Sequence, residues 1–167
     1  MEEYKYNDKK YSIVNDWKIA IGLQAVDGLQ PSDYLYELAG KHIQGEMDIK
    51  EIQRNLKAYY ENKGIRNETD EKTNEADKVS ANIIGLLMDN HFSLRPEEDR
   101  SIHESLFYNV FPHAGVYRIN DISKKEWVLQ YNSVDYDSYP NIIPDLEKAM
   151  QEEAAADYSE WNQEDKI

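Results

Sequence analysis

The chain has 167 residues, no cysteine, and 33 acidic against 19 basic side chains, for a formal net charge of −14. That balance excludes DNA and RNA as partners, because non-specific binding needs cationic side chains to displace phosphate counterions. The lack of cysteine excludes a disulfide framework and thiolate chemistry, and no apolar run is long enough for a membrane span or a signal peptide, so a cytoplasmic protein with no membrane partner is expected.

Residues 1–10 are charged and aperiodic, and a frayed end or a loose first turn is expected there. From Ile13 the spacing of Val14, Trp17, Ala20, Ile21 and Val26 predicts an amphipathic helix that stops at Asp27-Gly28. Ser32 is a good N-cap for a second helix, with Leu35, Leu38, Ala39 and either His42 or Ile43 on its buried side and Gly45 at its end. Asp48, with Glu51 at the capping-box position, opens a third helix whose apolar face is Ile49, Ile52, Leu56, Tyr59 and Tyr60. These three helices make a small unit over residues 1–60.

Residues 61–74 are almost wholly polar and read as a linker. Helical periodicity resumes over Glu75–Asn90 with Ala76, Val79, Ile83, Leu86 and Leu87. A further helix is expected over Pro96–Asn109, where Ile102, Leu106 and Val110 share a stripe with Phe107 beside it. Pro112 and Gly115 break the chain, and Ile119–Tyr136, rich in β-formers around a polar Gln130–Ser133 turn, predicts a β-hairpin. Pro140 and Pro144 bracket a turn. Asp145 begins a last helix with Leu146, Ala149 and Met150, and Tyr158–Ile167 reads as the start of a helix that is cut short.

The residues that could carry chemistry each have a plain alternative. His42, His91, His103 and His113 are too scattered for a metal-ligand spacing, so no metal site is expected. His113, in a tight turn, fits backbone hydrogen bonding better than general-base work. Asp27-Gly28 reads as an ordinary helix stop on spacing alone. Lys124, Lys125, Glu126 and Trp127 fit either a solvated hairpin or an edge that accepts another strand. The acidic residues Asp145, Glu147, Glu152 and Glu153 fit a solvated helix face.

Two stretches also resemble known families. Ile102-His103, Leu106-Phe107, the F-x-x-A-G-x-x-R run with Phe111, Gly115 and Arg118, then Ile122 and Lys124-Lys125-Glu126, resemble the first half of a Fic domain of the Fic/Doc (Fido) family. "EADKVSANI", at the start of the 75–90 helix, is similar to the opening helix of that fold. The resemblance implies that the hairpin is the flap, which holds the target protein's modifiable segment by strand addition through Ile122, Lys124, Lys125, Glu126, Trp127 and Val128. It places His103 at a packing and hydrogen-bonding position. Family members are nucleotidyltransferases that carry out AMPylation, moving AMP from ATP to a protein hydroxyl with a later HPFxxGNGRxxR motif that this chain does not contain. ATP and magnesium are therefore implied for the full-length family enzyme and for nothing in these residues, which supply no catalytic residue.

Ala20–Tyr60 resembles the VbhA-type antitoxin domain that restrains Fic enzymes. There the first helix ends in Ser or Thr, three residues, Glu, then Gly or Asn, and the glutamate pairs with the motif's last arginine. Carried over, the glutamate position is Asp27, the Ser/Thr position is Leu23, and Gly28 matches, so the motif is degenerate.

The fold class expected is mainly α. A three-helix antitoxin-like domain over 1–60 and a linker over 61–74 precede the first helices and flap hairpin of an incomplete Fic domain over 75–167. The function implied is that of a Fic adenylyltransferase with a fused inhibitory module. This truncated chain would supply target docking and regulation and would transfer no nucleotide alone. The alternative is a non-catalytic binding or regulatory protein of a toxin–antitoxin system. The partners implied are a protein target at the flap, the remainder of a Fic domain, or a second copy.

Overall fold

The computed structural model describes residues 2–89, 93, 95–125, 130 and 132–157, with side chains described from residue 12 onward. The protein is mainly helical. Its elements are α1 (Glu2–Val26), α2 (Asp33–Gln44), α3 (Ile49–Lys63), α4 (Glu68–Met88), α5 (Pro96–Leu106), β1 (Ser123–Lys125), β2 (Ser133–Asp135), a 3-10 turn (Tyr139–Asn141) and α6 (Ile142–Ala155). The chain forms two compact units, Met1–His91 with Ile102–Gly115, and Phe92–Ser101 with Val116–Ile167.

The first unit is built on caps and stripes that the sequence announces. The Ser32 hydroxyl accepts from the Leu35 N–H, and Asp48 and Glu51 form a reciprocal capping box. Each bond satisfies a helix N–H that has no partner within the helix. At the end of α1, Gly28 takes φ +70°, and the Leu29 and Gly28 amides donate back to the carbonyls of Gln24 and Ala25. Buried Leu29 closes this stop. Only a left-handed residue completes that pattern, so a glycine there is fully explained by the helix end.

Two expectations along α1 are corrected. The helix begins at Glu2 and runs unbroken through residues where a frayed end or a loose first turn is expected from the sequence. Val26 is 72% exposed, because the buried stripe runs through Trp17, Ala20 and Gln24 and turns away from it. A larger correction concerns residues 61–74. They are not a linker: α3 continues to Lys63, α4 starts at Glu68, and the break is only the four residues 64–67. Polar composition does not forbid a helix whose first turns face solvent. Here Asn67 caps the Asp70 N–H at 2.9 Å, acids occupy the first turn, and Lys72 pairs with Glu68 at 2.7 Å.

As a result α4 is a wall of the N-terminal core. One apolar cluster joins Trp17 and Ala20 of α1, Leu35, Leu38 and Ala39 of α2, Ile49, Ile52, Leu56 and Tyr60 of α3, and Ala81 and Ile84 of α4. Three buried polar contacts hold the helices in register. Trp17 Nε1–H donates to His42 Nδ1 at 3.1 Å. Gln53 donates to Asn82, whose own amide donates to the Leu106 and Tyr108 carbonyls at 2.9 and 3.1 Å. Asp77, fully buried on α4, accepts the Ser32 N–H at 2.8 Å, the Ser32 hydroxyl at 2.5 Å and the Tyr60 hydroxyl at 2.6 Å.

The second unit holds the hairpin and α6. The strands are antiparallel with Ser123 opposite Asp135, Lys124 opposite Val134 and Lys125 opposite Ser133. They lie within the expected 119–136 hairpin, of which residues 126–129 and 131 are outside the described residues. The last helix starts at Ile142 rather than Asp145, since the 3-10 turn at Tyr139–Asn141 leads straight into it and Pro144 falls in its first turn, where no intrahelical donor is lost. Among the described residues no helix is long and apolar enough to cross a membrane.

Replacing Asp77 by alanine leaves the Tyr60 hydroxyl and the Ser32 N–H buried without an acceptor, and a loss of about 3 kcal/mol in unfolding free energy is expected. Burial raises the Asp77 carboxyl above the ordinary aspartate range, against the pull of its three donors. A carboxyl raised by folding adds stability below its unfolded value, about 3.9, and that contribution is lost as pH rises through the folded value. Denaturant titration of Asp77→Asn is therefore expected to show a smaller loss of stability than wild type as pH rises from about 4 to neutral.

Candidate functional site

Two surfaces carry the sequence-derived candidates, one in each unit. In the first unit the end of α1 presents Leu23, 51% exposed, beside exposed Ile19, Val26 and Asp27. Ile19, Leu23 and Val26 follow i, i+4, i+7 spacing, so they lie on one face of the helix. Asp27 is the last residue before Gly28 and has its N–H on the Gln24 carbonyl at 3.2 Å. Partial burial, with the charges of Asp27 and Glu71, pushes the Glu75 carboxyl up. The α1 end thus presents exposed apolar side chains with the Asp27 carboxylate following them. Glu75 could have been suspected only from three-dimensional packing, since nothing in its spacing links it to Asp27.

The turn after α5 is fixed by His103 and Gly115. The Gly115 N–H donates to His103 Nδ1 at 2.8 Å, which assigns the proton of a neutral ring to Nε2. Gly115 sits at φ +72°, and a Cβ there would lie 2.8 Å from Glu104 Cβ. Phe107 packs on His103 with ring centroids 4.8 Å apart, Phe111 follows at 5.4 Å, and exposed His113 stacks flat on Phe111 at 5.3 Å. His103 and His113 are therefore parts of the turn's construction, and no acid–base partner is aligned with either among the contacts they make there.

In the second unit Arg118 braces the base of the hairpin. Its guanidinium donates to the carbonyls of Asn120, at 3.0 Å, and of Asp137. Asp121 answers across the hairpin, accepting the Ser138 hydroxyl at 3.0 Å and the Tyr139 N–H at 2.7 Å. Asp137 and Asp145 share a hydrogen bond that holds Asp137 below the usual carboxylate range and Asp145 above it. Beyond this brace Ile122 is 48% exposed, and Lys124 and Lys125 are exposed. Among the described residues β1 pairs with β2 alone. Glu126, Trp127 and Val128, expected at the same surface, lie outside the described residues.

Among the described residues no three His, Asp or Glu side chains converge to hold a cation. Each helix from α2 to α6 carries an acid in its first turn, and α2, α3 and α4 are capped by their own side chains. First-turn acids and side-chain caps of this kind compensate the helix dipole and satisfy its free N–H groups.

Comparison with protein-family models, with curated proteins and with solved structures finds no match to this chain.

Gly28 and Gly115 are expected to differ under mutation although both have positive φ. Gly28→Ala meets open space and should cost about 1 kcal/mol from backbone strain alone, whereas Gly115→Ala must also displace Glu104 and should cost about 2–3 kcal/mol. Urea denaturation followed by far-UV circular dichroism measures both, and equal losses would show that the Glu104 contact imposes nothing.

Proposed function

We propose that this chain is the regulatory and target-docking portion of a Fic-type protein adenylyltransferase. In this reading residues 1–60 are the VbhA-like inhibitory module, α4, α5 and the hairpin are the start of the Fic fold, and the full-length enzyme moves AMP from ATP to a protein hydroxyl. The observation that carries it is the antiparallel hairpin of β1 and β2, braced at its base by Arg118 and Asp121. A short hairpin held at its base suits strand addition, with main-chain hydrogen bonds for affinity and neighbouring side chains for choice of target. Ile122, Lys124 and Lys125 would take part in that docking; Glu126, Trp127 and Val128, which the Fic resemblance assigns to the same role, lie outside the described residues.

The α1 end supports the inhibitory half of the reading. Asp27, with Glu75 beside it, offers carboxylates to an arginine of a Fic motif, and exposed Ile19, Leu23 and Val26 offer apolar area to the surface around it. Leucine at the Ser/Thr position removes a hydroxyl, so contact there would be apolar. That same stripe favours the second reading, a non-catalytic binding protein of a toxin–antitoxin system, because it is a binding surface that needs no chemistry.

The test is transfer of labelled AMP from ATP with magnesium. The 167-residue chain is expected to label nothing above a no-protein control. The product of the reading frame that contains these residues is expected to label a protein hydroxyl, and Asp27→Ala is expected to raise that rate severalfold. No label from the latter product, with specific binding to a Fic enzyme retained, would replace the enzyme reading by the second one.

A further inference from the structure

The N-terminal three helices and α4 share more than a surface. Asp77 is fully buried, and its three donors come from the cap of α2 and from α3. Gln53 of α3 donates to Asn82 of α4 at 3.0 Å, and Ala81 and Ile84 of α4 complete the core that Trp17, Leu35 and Leu56 begin. Residues 1–63 without α4 would open that core to water and leave Ser32 and Tyr60 facing a vacant groove. A unit of this size has little stability to spare for that loss.

The α1 end is held to the same body. Gln24 and Leu29 are both buried, one on each side of the exposed Val26-Asp27-Gly28 corner. Neither anchor can leave without exposing apolar area or breaking the helix stop.

We propose that α4 is a permanent fourth helix of the N-terminal unit, so that the α1 end bearing Leu23, Asp27 and Gly28 is presented on a fixed body and is never exposed or withdrawn by release of residues 1–63. Regulation at that end then works by moving whatever surface faces it. Detachment of an antitoxin-like module is closed off. The regulatory consequence rests on the inhibitory reading of residues 1–60, whereas the attachment itself does not. The attachment is therefore tested by mass and not by nucleotide transfer, and failure of one is distinguishable from failure of the other.

A protease site inserted between Ile65 and Arg66, in the 64–67 break, allows the folded full chain to be cut once. Native mass spectrometry and size exclusion at low micromolar concentration are expected to find the two pieces as a one-to-one complex. Separation of the pieces on dilution to about 1 µM, the range of weak and transient contacts, would overturn the proposal. Tyr60→Phe removes one bond to Asp77 and no apolar area. In the cut protein it is expected to raise the dissociation constant of the pieces by about tenfold. An unchanged constant would remove Asp77 from the attachment.

Discussion

The first unit depends on one buried carboxylate. Asp77 on α4 takes its donors from Ser32 and Tyr60, residues that lie far from it and from each other in the chain. A buried acid is unfavourable unless its oxygens are satisfied, and three short bonds satisfy these. The same geometry makes Ser32 serve twice, since its hydroxyl caps α2 through Leu35 and donates to Asp77. Apolar packing alone would tolerate some sliding of four helices. The donors of Asp77 fix which turn of α4 meets which turn of α3.

This constraint shapes the functional reading. A three-helix module joined to its neighbour by a flexible linker could act by leaving, whereas in the proposed reading a module whose core is completed by α4 would act as a fixed presenter. The second unit follows a similar logic on a smaller scale, with Arg118 and Asp121 tying both ends of a short hairpin. In the proposed docking role that brace matters because an edge held in place loses less entropy when a strand adds to it.

Much of this was legible in the sequence, because caps and stripes are local signals. Ser32, the Asp48–Glu51 box, the Asp27-Gly28 stop and the Leu35, Leu38, Ile52 and Leu56 positions stand where the spacing places them. The 61–74 stretch misled because a solvent-facing helix start and a linker share a polar composition, and only the Asn67 cap distinguished them. Asp77 and Asn82 were missed for a different reason. Each sits in an ordinary helical pattern, and its importance comes from donors and acceptors that only folding brings within reach. Gly115, expected to break the chain after α5, sits in a turn at φ +72° with Glu104 against it, a contact that spacing does not show, while Asp27 and Leu23 acquire meaning only from what would face them.

Native-state hydrogen exchange tests most directly whether α1 to α4 form one cooperative body. The amides of Leu38 in α2, Leu56 in α3 and Ile84 in α4 report on the same core from three helices. If the four helices are one body, these amides exchange through a single opening with the same free energy and the same response to denaturant. A lower opening free energy for Leu38 and Leu56 than for Ile84 would show that residues 1–63 open as a module of their own, and the fixed four-helix description would be wrong.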